Sequence, residues 1–233
     1  MGEMISYASN GGTSDGYLAS PAGDTAGAPV AGVIVIQEWW GLVHHVTSVA
    51  DRFAAEGFLA LAPDLYHGVQ TSEPDEAMKL LMGLAMDQAA KDIAGAAACL
   101  AGRPDCTGKI GVVGFCMGGS LALWAATLSP EIVAASGYYP PLPWERMRPV
   151  WPNYHGKAAL IHTSEEDGGP EDSDILAGKR LIEQGGGAVT VHGYPGTRHA
   201  FFNDERPEVY DAAAAELSWA RTLAFLRASL AGG

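Results

Sequence analysis

The sequence predicts an α/β protein with a mostly parallel central sheet and helices on both faces. Three features predict it. Apolar, β-branched runs alternate with helical patterns along most of the chain, the order that builds strand–helix–strand units. The runs Ala31–Gln37 and Phe58–Ala62 are apolar without alternation, as in strands covered on both faces. Lys109–Ser120 reads as a strand, then glycines crowded around Cys116, then a helix start. That is the G-x-S-x-G elbow with cysteine in the serine position.

The elements follow in order. Residues 1–30 are rich in Gly, Ser, Ala and Pro, with short strand-like pieces near Met4–Ser6 and Tyr17–Ser20 that lead into the sheet. After the Ala31–Gln37 strand, Val46–Glu56 has helical spacing and ends at Gly57, a residue suited to a helix C-terminus. Phe58–Ala62 is the next strand, stopped by Pro63-Asp64. Pro74–Ala101 is rich in Ala, Met and Leu and predicts two helices broken near Gly83. The elbow strand Lys109–Phe115 and a helix over Ser120–Leu128 come next, then a strand at Ile132–Gly137. Tyr138–Tyr154 carries Pro and Trp and reads as a loop over one end of the sheet. Strands at Ala158–Thr163 and Val189–Tyr194 flank a helix over Asp174–Gln184, and Glu208–Leu230 is the last helix. No repeat or linker interrupts this pattern, so residues 1–233 form a single domain.

Bulk properties narrow the partners. The chain has 233 residues, enough for one domain with a sizeable core. Its net charge of −13 argues against nucleic acid and against anionic membrane surfaces, both of which need a basic face. Three cysteines, Cys99, Cys106 and Cys116, make neither a disulfide framework nor the paired spacing of a zinc site. His44, His45 and His67 have no carboxylate or cysteine at ligand spacing, so no metal is expected. No secretory leader is expected from the opening residues, and no apolar run reaches the roughly 18–20 residues of a membrane span. A reducing cytoplasm is the expected compartment.

The elbow sets the chemistry. Its glycines permit a turn too tight for side chains and push Cys116 out at a helix N-terminus, which favours an anion. In open α/β sheets reactive groups gather at the carboxyl ends of strands. Asp167 follows the strand Ala158–Thr163, and His199 follows Val189–Tyr194. The order nucleophile, acid, histidine is that of the α/β-hydrolase fold. The roles follow: Cys116 attacks a carbonyl, His199 moves protons, and Asp167 fixes the imidazole tautomer. The oxyanion needs two N–H donors, expected from the backbone of Met117 and of Trp39. Glu165 and Glu166 compete with Asp167 for the acid position. His162 and His192 lie within strands and read as packed.

Four motifs make the sequence similar to the dienelactone hydrolase family. Gln37-Glu38-Trp39-Trp40-Gly41 resembles its Q-E-x-x-G, and Ala62-Pro63-Asp64-Leu65-Tyr66 its A-P-D-L-[YF]. Gly114-Phe115-Cys116-Met117-Gly118-Gly119 resembles its G-[FY]-C-x-G-G elbow, and Gly196-Thr197-Arg198-His199-Ala200-Phe201 its G-x-x-H-[AGS]-F. The resemblance covers about Ala31 to the C-terminus. It implies hydrolysis of a carboxylic ester or lactone by a Cys116–His199–Asp167 triad, with an acyl-enzyme and no cofactor. It also implies that Glu38 supports the nucleophile by holding or taking its proton.

The resemblance also implies a substrate clamp of two arginines, and here the sequence departs. Lys79 and Asn203 stand at those positions. Lysine lacks the arginine fork, and asparagine cannot neutralise a carboxylate. Arg146, Arg148 and Arg198 are alternative sources of charge. Trp40, Tyr138 and Phe202 are expected to line the substrate pocket with Lys79 and Asn203, and Trp39, Tyr139, Trp144 and Trp151 lie in the same segments. Such aromatic walls suit a neutral or aryl ester or lactone. A general carboxylesterase or thioesterase on the same triad is an alternative, as is a non-catalytic relative that senses oxidation through Cys116. The protein is expected as a monomer or homodimer.

Overall fold

A computed structural model of the chain describes residues 2–9, 11–21, 28–142 and 146–231. Trp144 lies outside them. The N-terminal pieces are longer than their composition suggests. Strands β1 (Glu3–Ser9) and β2 (Gly12–Ala19) form an antiparallel hairpin paired from Glu3–Leu18 to Ser9–Gly12. Ladder hydrogen bonds satisfy their polar residues as strands, which apolar periodicity does not report. The continuous apolar runs become β3 (Val30–Ile36) and β4 (Leu59–Pro63), both largely buried. Between them, α1 (His44–Ala55) buries Val46, Val49 and Phe53.

The segment Pro74–Ala101 divides at Gly83 into α2 (Pro74–Gly83) and α3 (Met86–Ala101). The elbow joins β5 (Cys106–Phe115) directly to α4 (Met117–Ala125). This helix starts three residues before the expected Ser120, because Gly118 and Gly119 lie inside its first turn, where close packing against the strands offsets their poor helix propensity. Then come β6 (Ile132–Tyr138), β7 (Ala158–Ser164), α5 (Ser173–Gln184), β8 (Ala188–Tyr194) and α6 (Ala212–Leu230). The last helix begins four residues after Glu208 because the Asp211 side chain accepts from Ala214 N at 2.9 Å and caps it there.

The strands pair in the order β1-β2-β4-β3-β5-β6-β7-β8. The pairs β1–β2 and β2–β4 are antiparallel, and the rest of the sheet is parallel. Two apolar layers cover it. One joins α1 and α6 to the sheet through Val46, Phe53, Leu223 and Leu226. The other joins α3, α4 and α5 through Ile93, Leu100, Leu121 and Ile182. This is an α/β-hydrolase architecture, and its parallel strands all point their carboxyl ends toward one rim. No helix among the described residues is long and apolar enough to cross a membrane.

Candidate active site

Cys116 stands where β5 ends and α4 begins, with φ +54° and ψ −122°. A side-chain-bearing residue in that region carries strain on the order of 1–3 kcal/mol, which the surroundings must hold in place. They do so by contact. A Cβ on Gly118 would collide with the carbonyl oxygens of Gln37 and Ile36, and one on Gly119 would lie 2.7 Å from Tyr138 O. The first turn of α4 therefore lies directly on the ends of β3 and β6. Cys116 N donates to Tyr138 O at 3.0 Å and pins the turn. The thiol is free and half-buried.

The rim brings His199 and Asp167 to this turn. His199 Nδ1 lies 3.0 and 2.9 Å from the two Asp167 carboxylate oxygens, and the imidazole is near enough to Cys116 for the sulfur to act on its titration. Burial opposes a charged imidazole here, but the hydrogen bonds to Asp167 and the neighbouring Cys116 prevail, and the His199 pKa is pushed up to about 10. Burial likewise opposes the Asp167 carboxylate. The hydrogen bonds from His199 and Ser164 outweigh it and hold Asp167 below the usual carboxylate range.

The adjacent glutamates have a separate task. Glu166 accepts His199 N at 2.7 Å, and Glu165 accepts Gly196 N at 2.7 Å. Glu166 N in turn donates to Thr197 O at 3.2 Å. These bonds clamp the histidine loop to the acid loop and leave Asp167 to face the ring. Sequence reasoning weighed both glutamates only as competing acids.

Glu38, at the end of β3, is 2 % exposed. Its carboxylate accepts from Asn203 Nδ2 at 2.8 Å and from Tyr139 Oη at 3.4 Å. Asn203, itself buried, is thereby committed to Glu38 through its amide nitrogen and to Glu205 N through its oxygen. Burial and the nearby charges of Glu38 and Cys116 push the Tyr139 phenol far up, so it stays a donor. Its ring lies 4.9 Å from that of His199. Among the described residues, the amides of Met117 and Trp39 have no hydrogen-bond partner, as an oxyanion site requires.

Several expected substrate contacts lie elsewhere. The parallel register aligns Phe115, Tyr138, His162 and His192 across β5–β8. Their rings stack on the α1/α6 side, Phe115–Tyr138 at 4.8 Å and Tyr138–His162 at 4.3 Å. Tyr138 is thus a core residue, fully buried, with its hydroxyl 2.7 Å from Thr222 Oγ1. Its neighbour Tyr139 reaches the site instead. Phe202 is also core, stacked 5.1 Å from Phe115 beneath the Arg52 guanidinium. Lys79 is exposed on α2 and lines a cavity with His67 and Gln88, apart from His199. Trp40 lines another with Asn203, Arg206 and Glu208. Arg146 is held by carbonyls of Leu81 and Leu84, and Arg198 faces Glu166 at 3.6 Å. Trp151 packs on Tyr154.

His199 and Asp167 open onto a cavity of about 370 Å³ walled by Tyr139, Pro141, Leu142 and Ile175. Asp172 and Asp174 also line it, and among the described residues no lysine or arginine does. Among the described residues no cluster of His, Cys, Asp and Glu could hold a metal. Carboxylates do reach His44 and His45, but as separate pairs with Glu205 and Asp204.

Comparison with known proteins gives one answer. The model of the dienelactone hydrolase family matches residues 14–230. "Protein usf" of Aquifex pyrophilus is 33% identical over 234 residues, covering 97% of this chain and 98% of that protein. A "Putative carboxymethylenebutenolidase" of Aquifex aeolicus is 30% identical over 240 residues, covering 99% of this chain and all (100%) of the other. The crystal structure of a "Putative Dienelactone Hydrolase" from Klebsiella pneumoniae superposes with a TM-score of 0.80 at 25% identity, over 97% of both chains.

Proposed function

The chain belongs to the dienelactone hydrolase family, and we propose that it cleaves carboxylic esters or lactones through a Cys116 acyl-enzyme. The observation that carries this reading is Cys116 held at the strained elbow on the same rim as the His199–Asp167 pair, which is bonded at 2.9 and 3.0 Å. The attacking form is a thiolate–imidazolium pair. The thiolate attacks the substrate carbonyl, and the C–O bond to the alcohol breaks as His199 gives that oxygen its proton. Met117 N and Trp39 N hold the negative oxygen between them. Once the sulfur is acylated its charge is gone, and one support for the imidazolium goes with it. His199 then accepts a proton from water, which attacks the thioester and returns the thiolate. Asp167 keeps Nδ1 protonated throughout.

Glu38, which accepts from Tyr139, is the proton holder for the nucleophile. The preferred substrate is a neutral or aryl ester or lactone. Apolar walls and uncompensated carboxylates border the cavity beside His199, and a carboxylate-bearing substrate would meet repulsion there. The test is hydrolysis of neutral aryl acetates and of carboxylate-bearing lactones by the native protein and by Cys116→Ala. The reading expects the neutral esters to be turned over at least about tenfold faster, and loss of about 10³-fold or more in the variant. Undiminished turnover by Cys116→Ala would overturn it.

A further inference from the structure

We propose that the cleft between the α2–α3 turn and α4 is a second binding site, for a small organic oxyanion. It lies two helical turns along α4 from Cys116, since Trp124 forms one wall. The cavity measures about 490 Å³ and is lined by Leu84, Met86, Asp87, Trp124, Arg146 and Arg148. Two guanidinium groups in one cleft stand out on a chain of net charge −13.

Two independent features point to a ligand. Trp124 is only 6% exposed, and its indole Nε1 has no hydrogen-bond partner. Nε1 is covered, so an acceptor must part the lining to reach it; a buried donor left unpaired costs roughly 1–3 kcal/mol, which such a bond recovers. The second feature is the start of α3. Met86 and Asp87 open this 16-residue helix, Ala85 precedes them, and no side chain caps the turn. Among the described residues, the amides of Met86, Asp87 and Gln88 have no acceptor. An uncapped helix N-terminus is a ready anion site.

The cleft is preorganised. Arg146 donates to Leu81 O at 3.0 Å and also to Leu84 O, so its guanidinium already holds the α2–α3 turn in place. Arg148 is exposed and supplies the second charge. The apolar faces of Leu84, Met86 and Trp124 favour an anion with a planar apolar tail over a bare ion. Asp87 is the one carboxylate on the lining among the described residues, and it weakens the site.

The test uses the intact protein labelled with ¹⁵N, with the indole N–H resonance of Trp124 assigned by Trp124→Phe. Phenyl phosphate, benzoate, inorganic phosphate, benzyl alcohol and benzylamine are titrated separately. Phenyl phosphate and benzoate should shift the Trp124 resonance with Kd about 1 mM or tighter, whichever head group is preferred, and inorganic phosphate more weakly. Benzyl alcohol and benzylamine should leave it unmoved. Arg148→Gln should weaken binding about 5–20-fold and Asp87→Asn should strengthen it about 2–5-fold. Among the described residues Arg148 makes no hydrogen bond or ion pair, so this variant reads binding even if Arg146→Gln fails to fold. No anion-induced shift, equal binding of benzyl alcohol, or anion affinity unchanged in Arg148→Gln would each overturn the proposal.

Discussion

Gly118→Ala tests the elbow where its tolerance is smallest. The added methyl would stand 2.6 Å from Ile36 O and closer still to Gln37 O. Real Cβ atoms keep at least 3.0 Å from such atoms, and both neighbours are backbone at the end of β3. The first turn of α4 must therefore retreat from β3 by several tenths of an ångström. Overpacking of this kind costs about 1–3 kcal/mol. For a domain of this size that is a fall in Tm of roughly 2–12 °C, at about 2–4 °C per kcal/mol. The same retreat separates Met117 N, on α4, from Trp39 N, beyond β3. Loss of alignment at an oxyanion site reduces kcat by about 10–10³-fold. Calorimetry gives the first quantity and steady-state hydrolysis of a neutral aryl ester gives the second. A variant with native Tm and native kcat would refute the packing argument. A lowered Tm with native kcat would refute the assignment of the two amides.

Glu166→Ala should lower kcat about 5–50-fold with KM changed less than about threefold, because the histidine loop loses the acceptor for His199 N and the ring drifts. Glu166→Gln keeps an acceptor and should recover most of the loss, and equal rates for the two variants would count against the clamp. NMR titration of His199 should show its imidazolium persisting through neutral pH and deprotonating near pH 10 in the resting protein. In Cys116→Ala the midpoint should fall, since the neighbouring Cys116 helps raise it, and an unchanged midpoint would contradict the pairing. Because this pKa is raised, the stability it contributes is complete below about 6.5 and is lost as pH climbs through about 10. Asp167 is lowered, so its contribution holds above its ordinary value of 3.8 and is lost as pH falls through its depressed folded value.

Much of this was legible in residues alone, for physical reasons. Continuous apolar runs such as Ala31–Gln37 mark strands buried on both faces, and the glycines around Cys116 mark a turn that other residues cannot make. Cys116, Asp167 and His199 each follow a strand, and parallel strands bring their carboxyl ends to one rim. What escaped depends on register. Tyr138 and Tyr139 are adjacent, chemically alike and both buried, yet β6 ends between them, and the left-handed bend at Tyr139 (φ +38°) turns its ring toward His199. Only the pairing of Tyr138 with Phe115 and His162 decides which of the two turns there. Phe202 is hidden from sequence for the same reason, as its partners Phe115 and Arg52 are remote along the chain. The Asn203–Glu38 bond joins residues 165 positions apart, and no local pattern reports it. The clamp by Glu165 and Glu166 uses backbone donors, which every residue has and no motif records.

The account rests on a covalent bond to one sulfur. Rapid mixing with a slowly deacylating neutral aryl ester, followed by acid quench and mass spectrometry, measures it. The account predicts an intact protein heavier by the acyl group, the adduct mapping to the peptide that contains Cys116, and no adduct in Cys116→Ala. An acyl group on any other residue, or steady turnover with no adduct, would contradict it.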